Sequence, residues 1–273
     1  MKRLILAAGL CALALPARAS DAALFPLSDE LFHRLLADPR QAQTGVRYYR
    51  QGGSDSADVA LGNTWGLLRW SDVAGSGWDM QWNVEGMGYS RFHVSGSVNE
   101  FQTIDFFANL PLEARRGKWS GRMTLFHQSS HLGDDYIRRT GDTGFRYSTE
   151  GLRLVGSYDA YEQLRLYAGG TAFLHSIPAG SDGALQLGFE ARTKNLGWID
   201  GRECWAYFAQ DMASKGRIGW NVDSNTELGL RLGLPHVVRA TRVHIGYYAG
   251  HSQFGQFFAR KEHYFNLGIS FDF

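Results

Sequence analysis

Apolar and polar side chains change places every residue over stretch after stretch of this chain. In the segment from Lys118, Trp119, Gly121, Met123 and Leu125 alternate with Ser120, Arg122 and Thr124. A period of two puts the two sets on opposite faces of a β-strand. The same alternation runs through Trp78, Met80, Trp82 and Val84, through Ile104, Phe106, Ala108 and Leu110, and through Leu164, Leu166 and Ala168. It returns in Leu185, Leu187 and Phe189, and in Val243, Ile245 and Tyr247. Turns rich in Gly, Asp and Ser separate such segments, and twelve strands of about 8 to 14 residues are predicted. Ile218, Trp220 and Val222 share parity with Leu228, Leu230 and Leu232, which predicts one long strand there. In the last segment Phe265, Leu267, Ile269, Phe271 and Phe273 alternate with Tyr264, Asn266, Gly268, Ser270 and Asp272.

Two stretches near the start break this pattern. MKRLILAAGLCALALPARAS has a basic start, an apolar run from Leu4 to Leu15, and small residues at Ala17 and Ala19, so residues 1–19 are expected to be a signal peptide. Residues 20–43 place Phe25, Leu31, Phe32, Leu35 and Leu36 at helical spacing behind Ser28, Asp29 and Glu30. That spacing predicts a short N-terminal periplasmic helix ended by Pro39, a plug or lid on the barrel's lower mouth. Residues 44–273 form the strand domain.

Composition narrows the class. The chain of 273 residues carries 33 glycines and 14% aromatics, and after the signal no apolar run reaches the length of a membrane helix. Its formal net charge of +1 argues against a nucleic-acid partner. With Cys11 inside the signal, Cys204 is the only mature cysteine, so no internal disulfide can form. The predicted fold is all-β: a closed antiparallel transmembrane β-barrel of twelve strands. The amphipathic last strand ending on Phe273 resembles the assembly signal of Gram-negative outer-membrane barrels. It implies an outer-membrane location and the outer-membrane assembly machinery and lipids as partners. A soluble β-sandwich is the competing class.

On the opposite parity the charges are mixed. Asp79, Glu85, Asp105, Glu190, Glu227 and Asp272 face the same way as Arg122, Arg153, Arg165, Arg192, Arg231 and Arg242. In a barrel this narrow such side chains pair across the lumen and fill it, which argues against a general porin.

Candidate chemistry lies on the lipid parity. His127 and Ser129 continue the series from Trp119, and at about 3.3 Å per residue and a tilt near 40° His127 stands roughly 20 Å above that tryptophan, at the outer-leaflet interface. The next strand carries Glu150, Leu152, Leu154 and Tyr158 on one parity. A register pairing Trp119 with Tyr158 also pairs Leu125 with Leu152, His127 with Glu150 and Ser129 with Ser148. It aligns a nucleophile (Ser129), a base (His127) and a carboxylate (Glu150) of the kind that acyl transfer uses. The bland reading of His127, Ser129 and His131 is interfacial polar groups at a strand end.

The His127–Gln128–Ser129 stretch is similar to the His-x-Ser of outer-membrane phospholipase A and of the lipid A 3-O-deacylase, barrels that attack acyl esters in the outer leaflet. The resemblance implies His127 as base, Ser129 as nucleophile and Glu150 as third member. It departs where both families place Asn after the serine, since Ser130 stands there, and their third residue follows the histidine sooner. The phospholipase depends on Ca²⁺, and by the same resemblance Ser130, Asp134 and Asp135 would bind it. A metal site from His127, His131 and Asp134 is a weaker option. Over most of the mature length, including FHQSSHLGDD and GHSQFGQFF, the chain looks like an uncharacterised family of bacterial outer-membrane barrels. GHSQFGQFF reads as a structured outer loop with aromatics on the rim, and a ligand-binding role comes second. Three functions follow: a lipid-acyl ester hydrolase, a non-enzymatic barrel serving structure or adhesion, and a narrow channel.

Overall fold

The computed structural model describes residues 22–25, 30–95, 98–180, 183–233 and 239–272. The expected signal peptide and Phe273 lie outside them. In chain order the strands are β1 (Ala22–Leu24), β2 (Thr44–Gln51), β3 (Ser54–Trp70), β4 (Asp79–Ser95), β5 (Val98–Arg116), β6 (Trp119–Leu132) and β7 (Tyr147–Tyr161). They continue as β8 (Leu164–Ile177), β9 (Gly183–Arg192), β10 (Gly197–Ile199), β11 (Arg202–Lys215), β12 (Val222–Gly233), β13 (Ala240–His251) and β14 (Lys261–Asp272). Sequential neighbours pair antiparallel, and β14 pairs back on β2, so twelve strands close into a barrel. Two three-residue strands sit outside this cycle: β1 on the end of β3 and β10 on β11.

Closure follows from parity. The outward set includes Leu154 and Leu185, each 60% exposed, and Phe265 at 77%. A belt of bare leucine, isoleucine and phenylalanine of this extent is stable only against lipid. Among the described residues no helix is long and apolar enough to cross a membrane, so the strands make the crossing.

The inward set behaves as expected. Arg122 pairs with Glu113 (2.8 Å) and Glu85 (3.4 Å), Arg165 with Glu190 (3.4 Å), and Arg242 with Asp272 (3.0 Å) and Glu227 (3.8 Å). Three of the twelve inward-parity charges lie elsewhere. Asp79 meets Arg69 at a strand end, and Arg192 and Arg231 flank the ring of Trp205.

Residues 30–43 depart from expectation. They form turns and bends and fill the lumen, whereas the one α-helix among the described residues is α1 (Asp134–Thr140) in an outer loop. The helical spacing has another cause: Phe32 and Leu35 pack against Val155 and Tyr167 of the wall. Wall carboxylates take the place of helical i−4 carbonyls. Glu113 accepts the N–H of Leu31 (2.9 Å) and Phe32 (3.1 Å), and Glu190 accepts that of Leu36 (2.7 Å). Asp38 pairs with Arg153 (2.5 Å) and Arg40 with Asp105 (3.0 Å). The segment is a plug, as one of its expected roles required, but inside the barrel and without helix.

The predicted long strand from Ile218 to Leu232 is also interrupted. A 3₁₀ turn at Gly216–Ile218 and positive φ at Gly219 (68°) and Trp220 (60°) fold the chain back before β12 begins at Val222.

Candidate functional site

The register across β6 and β7 is the one that pairs Trp119 with Tyr158, Leu125 with Leu152, His127 with Glu150 and Ser129 with Ser148. A slip by one residue would turn every leucine of β7 into the lumen, so the lipid face pins this pairing. On that face His127 Nδ1 lies 3.0 Å from Glu150 Oε1, with the two side chains 48% and 39% exposed. Ser148 Oγ donates to the same carboxylate oxygen at 3.3 Å. A carboxylate at Nδ1 favours the proton there and leaves Nε2 as the acceptor.

Ser129 stands two residues along on the same face, opposite Phe106 on one side and Ser148 on the other. Among the described residues no hydrogen bond joins it to His127. His127 and Glu150 are therefore brought together, and Ser129 is adjacent to them in register. In unliganded sites such contacts are often long and tighten with substrate.

Ser130 and Asp135 have separate partners, and Asp134 stands apart from both of them. Ser130 is buried on the inward side, where its Oγ accepts the N–H of Gln256 at 3.0 Å. Asp135 accepts the N–H of Phe101 at 3.1 Å and pairs with Arg138; the Phe101 amide first, then Arg138, hold its carboxyl below the usual range. Asp134 is exposed in the first turn of α1. Among the described residues no cluster of three His, Cys, Asp or Glu side chains could hold a metal ion, so His127, His131 and Asp134 do not make one. His131 instead lies 6.3 Å from the ring of Phe106.

His175 was not anticipated. It is exposed and sits directly across from Glu150 on β8, so that Glu150 has a histidine on each neighbouring strand. A register shift between Glu150 and Gly151 leaves Leu174 as the extra residue and puts His175 out of step with the alternation from Leu164. A β-bulge of this kind leaves no mark in hydrophobic periodicity.

The GHSQFGQFF loop turns inward rather than lying on the rim. Phe254 and Phe257 are buried with Ala42 of the plug and with Met87, Tyr89 and Tyr136. The Gly255 N–H reaches Asp105, the same carboxylate that holds Arg40.

Comparison with known proteins agrees with this architecture. A family model described as "Protein of unknown function (DUF1207)" matches residues 12–273. No curated protein matches the chain. Outer membrane phospholipase A from Escherichia coli superposes with a TM-score of 0.52 at 13% identity, covering 86% of this chain and 93% of that one. A KdgM porin (TM-score 0.45, 9% identity, 85% and 99% covered) and LpxR from Salmonella typhimurium (0.38, 12%, 85% and 100%) are more distant. The likeness is one of fold: an outer-membrane β-barrel, located in the outer membrane.

Proposed function

From the premise that the chain belongs to the DUF1207 family of unknown function, we propose that it is a lipid-acyl ester hydrolase acting at the outer leaflet. The observation that carries this reading is the 3.0 Å His127–Glu150 pair on the lipid-facing wall. At the outer-leaflet interface two ionisable groups cost little, so it is their mutual geometry that supports the reading. Ser129 on the same face completes the set of side chains. The phospholipase whose fold it shares bears such an activity in its name, and the local His-x-Ser likeness points the same way.

In the reaction, His127 Nε2 takes the Ser129 hydroxyl proton as Oγ attacks the acyl carbonyl. The tetrahedral intermediate collapses, the ester oxygen leaves with the proton from His127, and the acyl group stays on Ser129. Water, deprotonated by the same histidine, then releases the fatty acid and regenerates the serine. Glu150 keeps the imidazole in the required tautomer and stabilises its charged form.

The test is release of fatty acid from phospholipid or lipopolysaccharide by the purified barrel. Ser129→Ala should lower the rate by about 10³-fold or more. An unchanged rate would sink the proposal. A non-enzymatic barrel is the second reading, favoured by the open Ser129–His127 contact, and it expects no hydrolysis from either protein.

A further inference from the structure

Plug and inward loop leave part of the lumen unfilled. There a chamber of about 210 Å³ lies between Asp38 and Arg40 of the plug, Phe258 of the outer loop, and side chains of the wall from β4 to β13. Small side chains create it. Arg153 of β7 pairs in register with Thr171 of β8, Thr171 with Ala184 of β9, and Ala184 with Lys215 of β11. Two long cations thus stand at the ends of a row whose middle is a threonine and an alanine.

Most charges on the chamber's lining are paired, and Asp211 there accepts hydrogen bonds from Tyr167 (2.8 Å) and Gln186 (2.6 Å). Arg153 has Asp38 at 2.5 Å and Lys215 has Asp223 at 3.4 Å. Arg217, at the turn after β11, is held by Ser176 Oγ and by Pro178 O at 3.0 Å, between the rings of Tyr147 (4.9 Å) and Phe258 (5.1 Å). Among the described residues it has no carboxylate within 4.0 Å. Two further polar atoms on the lining, Asn109 Oδ1 and Gln253 Nε2, are buried with no hydrogen-bond partner among the described residues. A buried acceptor and a buried donor left open cost free energy unless a ligand or water meets them.

We infer that this chamber is a binding site for a small hydroxylated anion, whose carboxylate meets Arg217 and whose hydroxyls meet Asn109 and Gln253. The cationic side chain fixed between two aromatic faces supplies charge without its own counterion, and the volume suits a solute smaller than a drug-sized ligand. The site is separate from the His127–Glu150 pair, which lies on the other side of the wall. It therefore stands whether or not the barrel hydrolyses lipid.

Calorimetric titration of the purified full-length barrel with gluconate and with glucose tests it. Gluconate should bind and glucose should not. Arg217→Gln should weaken gluconate binding about tenfold or more, since a charge-assisted contact is lost. Ala184→Leu, which fills the chamber, should abolish it, with heat-modifiable migration on gels confirming that both variants remain folded. No binding of gluconate below about 10 mM, equal binding of glucose, or equal binding by Arg217→Gln would each overturn the inference.

Discussion

Glu150 is the residue on which the proposed chemistry turns, because it contacts the base and no atom of a substrate. Glu150→Gln keeps the shape and removes the charge that stabilises a protonated His127. Its expected effect is a fall in kcat of about 10²-fold with KM little changed, smaller than that of Ser129→Ala. A fall in lipid binding instead, at constant kcat, would show that Glu150 holds substrate rather than the base. At the other end of the barrel His33 of the plug offers a pH test. Desolvation by the surrounding wall, then Arg115 and Arg165, push its pKa down to about 3, although by surface area its side chain is exposed. A histidine freed from the plug's seat takes a proton below about 6.5. The docked state keeps His33 neutral, so docking is strongest above that value and weakens as pH falls from there toward 3. Limited proteolysis of residues 30–43 should therefore speed up between pH 7 and pH 4 in the wild type, and less so in His33→Asn.

At the scale of the strand, alternation made β6 and β7 readable. One register satisfied Trp119, Leu125, His127 and Ser129 together, and the structure has that register. The same rule predicts that Leu154→Arg, in the middle of the lipid face of β7, costs about 2–4 kcal/mol of barrel stability in denaturant titrations. A neutral result would mean that β7 does not face lipid at that depth. What alternation cannot carry is a change of step. The bulge on β8 hid His175, and the glycine turn at Gly216–Ile218 hid the end of β11. The plug misled for a different reason. Phe32 and Leu35 are spaced as on a helix, but whether backbone amides bond within a helix or to distant carboxylates is decided by Glu113 and Glu190, some 80 and 150 positions away. The inward course of Ser130 follows from its parity with Ser120, Arg122 and Thr124, whereas the place of Asp135 in α1 left no mark in the alternation.

For the whole molecule, the lumen is closed by two fillings that meet at one carboxylate, Asp105, which receives Arg40 from the plug and the Gly255 amide from the outer loop. The intact barrel should be silent in a planar bilayer. Removing residues 30–41 should open a conductance, because it takes away Arg40, which ties the plug to Asp105 and to the Gln253 carbonyl, and leaves Glu113, Glu190 and Arg153 without their plug partners. Silence of the deletion, with the barrel shown to be folded, would mean that the outer loop seals the lumen by itself.

The plug's partners span the chain, from Asn63 on β3 to Arg242 on β13 and Asp272 on β14, and the strand that follows the plug, β2, is the one that closes on β14. Contacts of such sequence separation form late in folding, because the loop-closure entropy is spent before they return anything. The interior of this barrel is thus completed only when its seam is. Substitutions in the plug should then act chiefly on how fast the finished protein comes apart, and leave the rate at which the wall assembles nearly as it was.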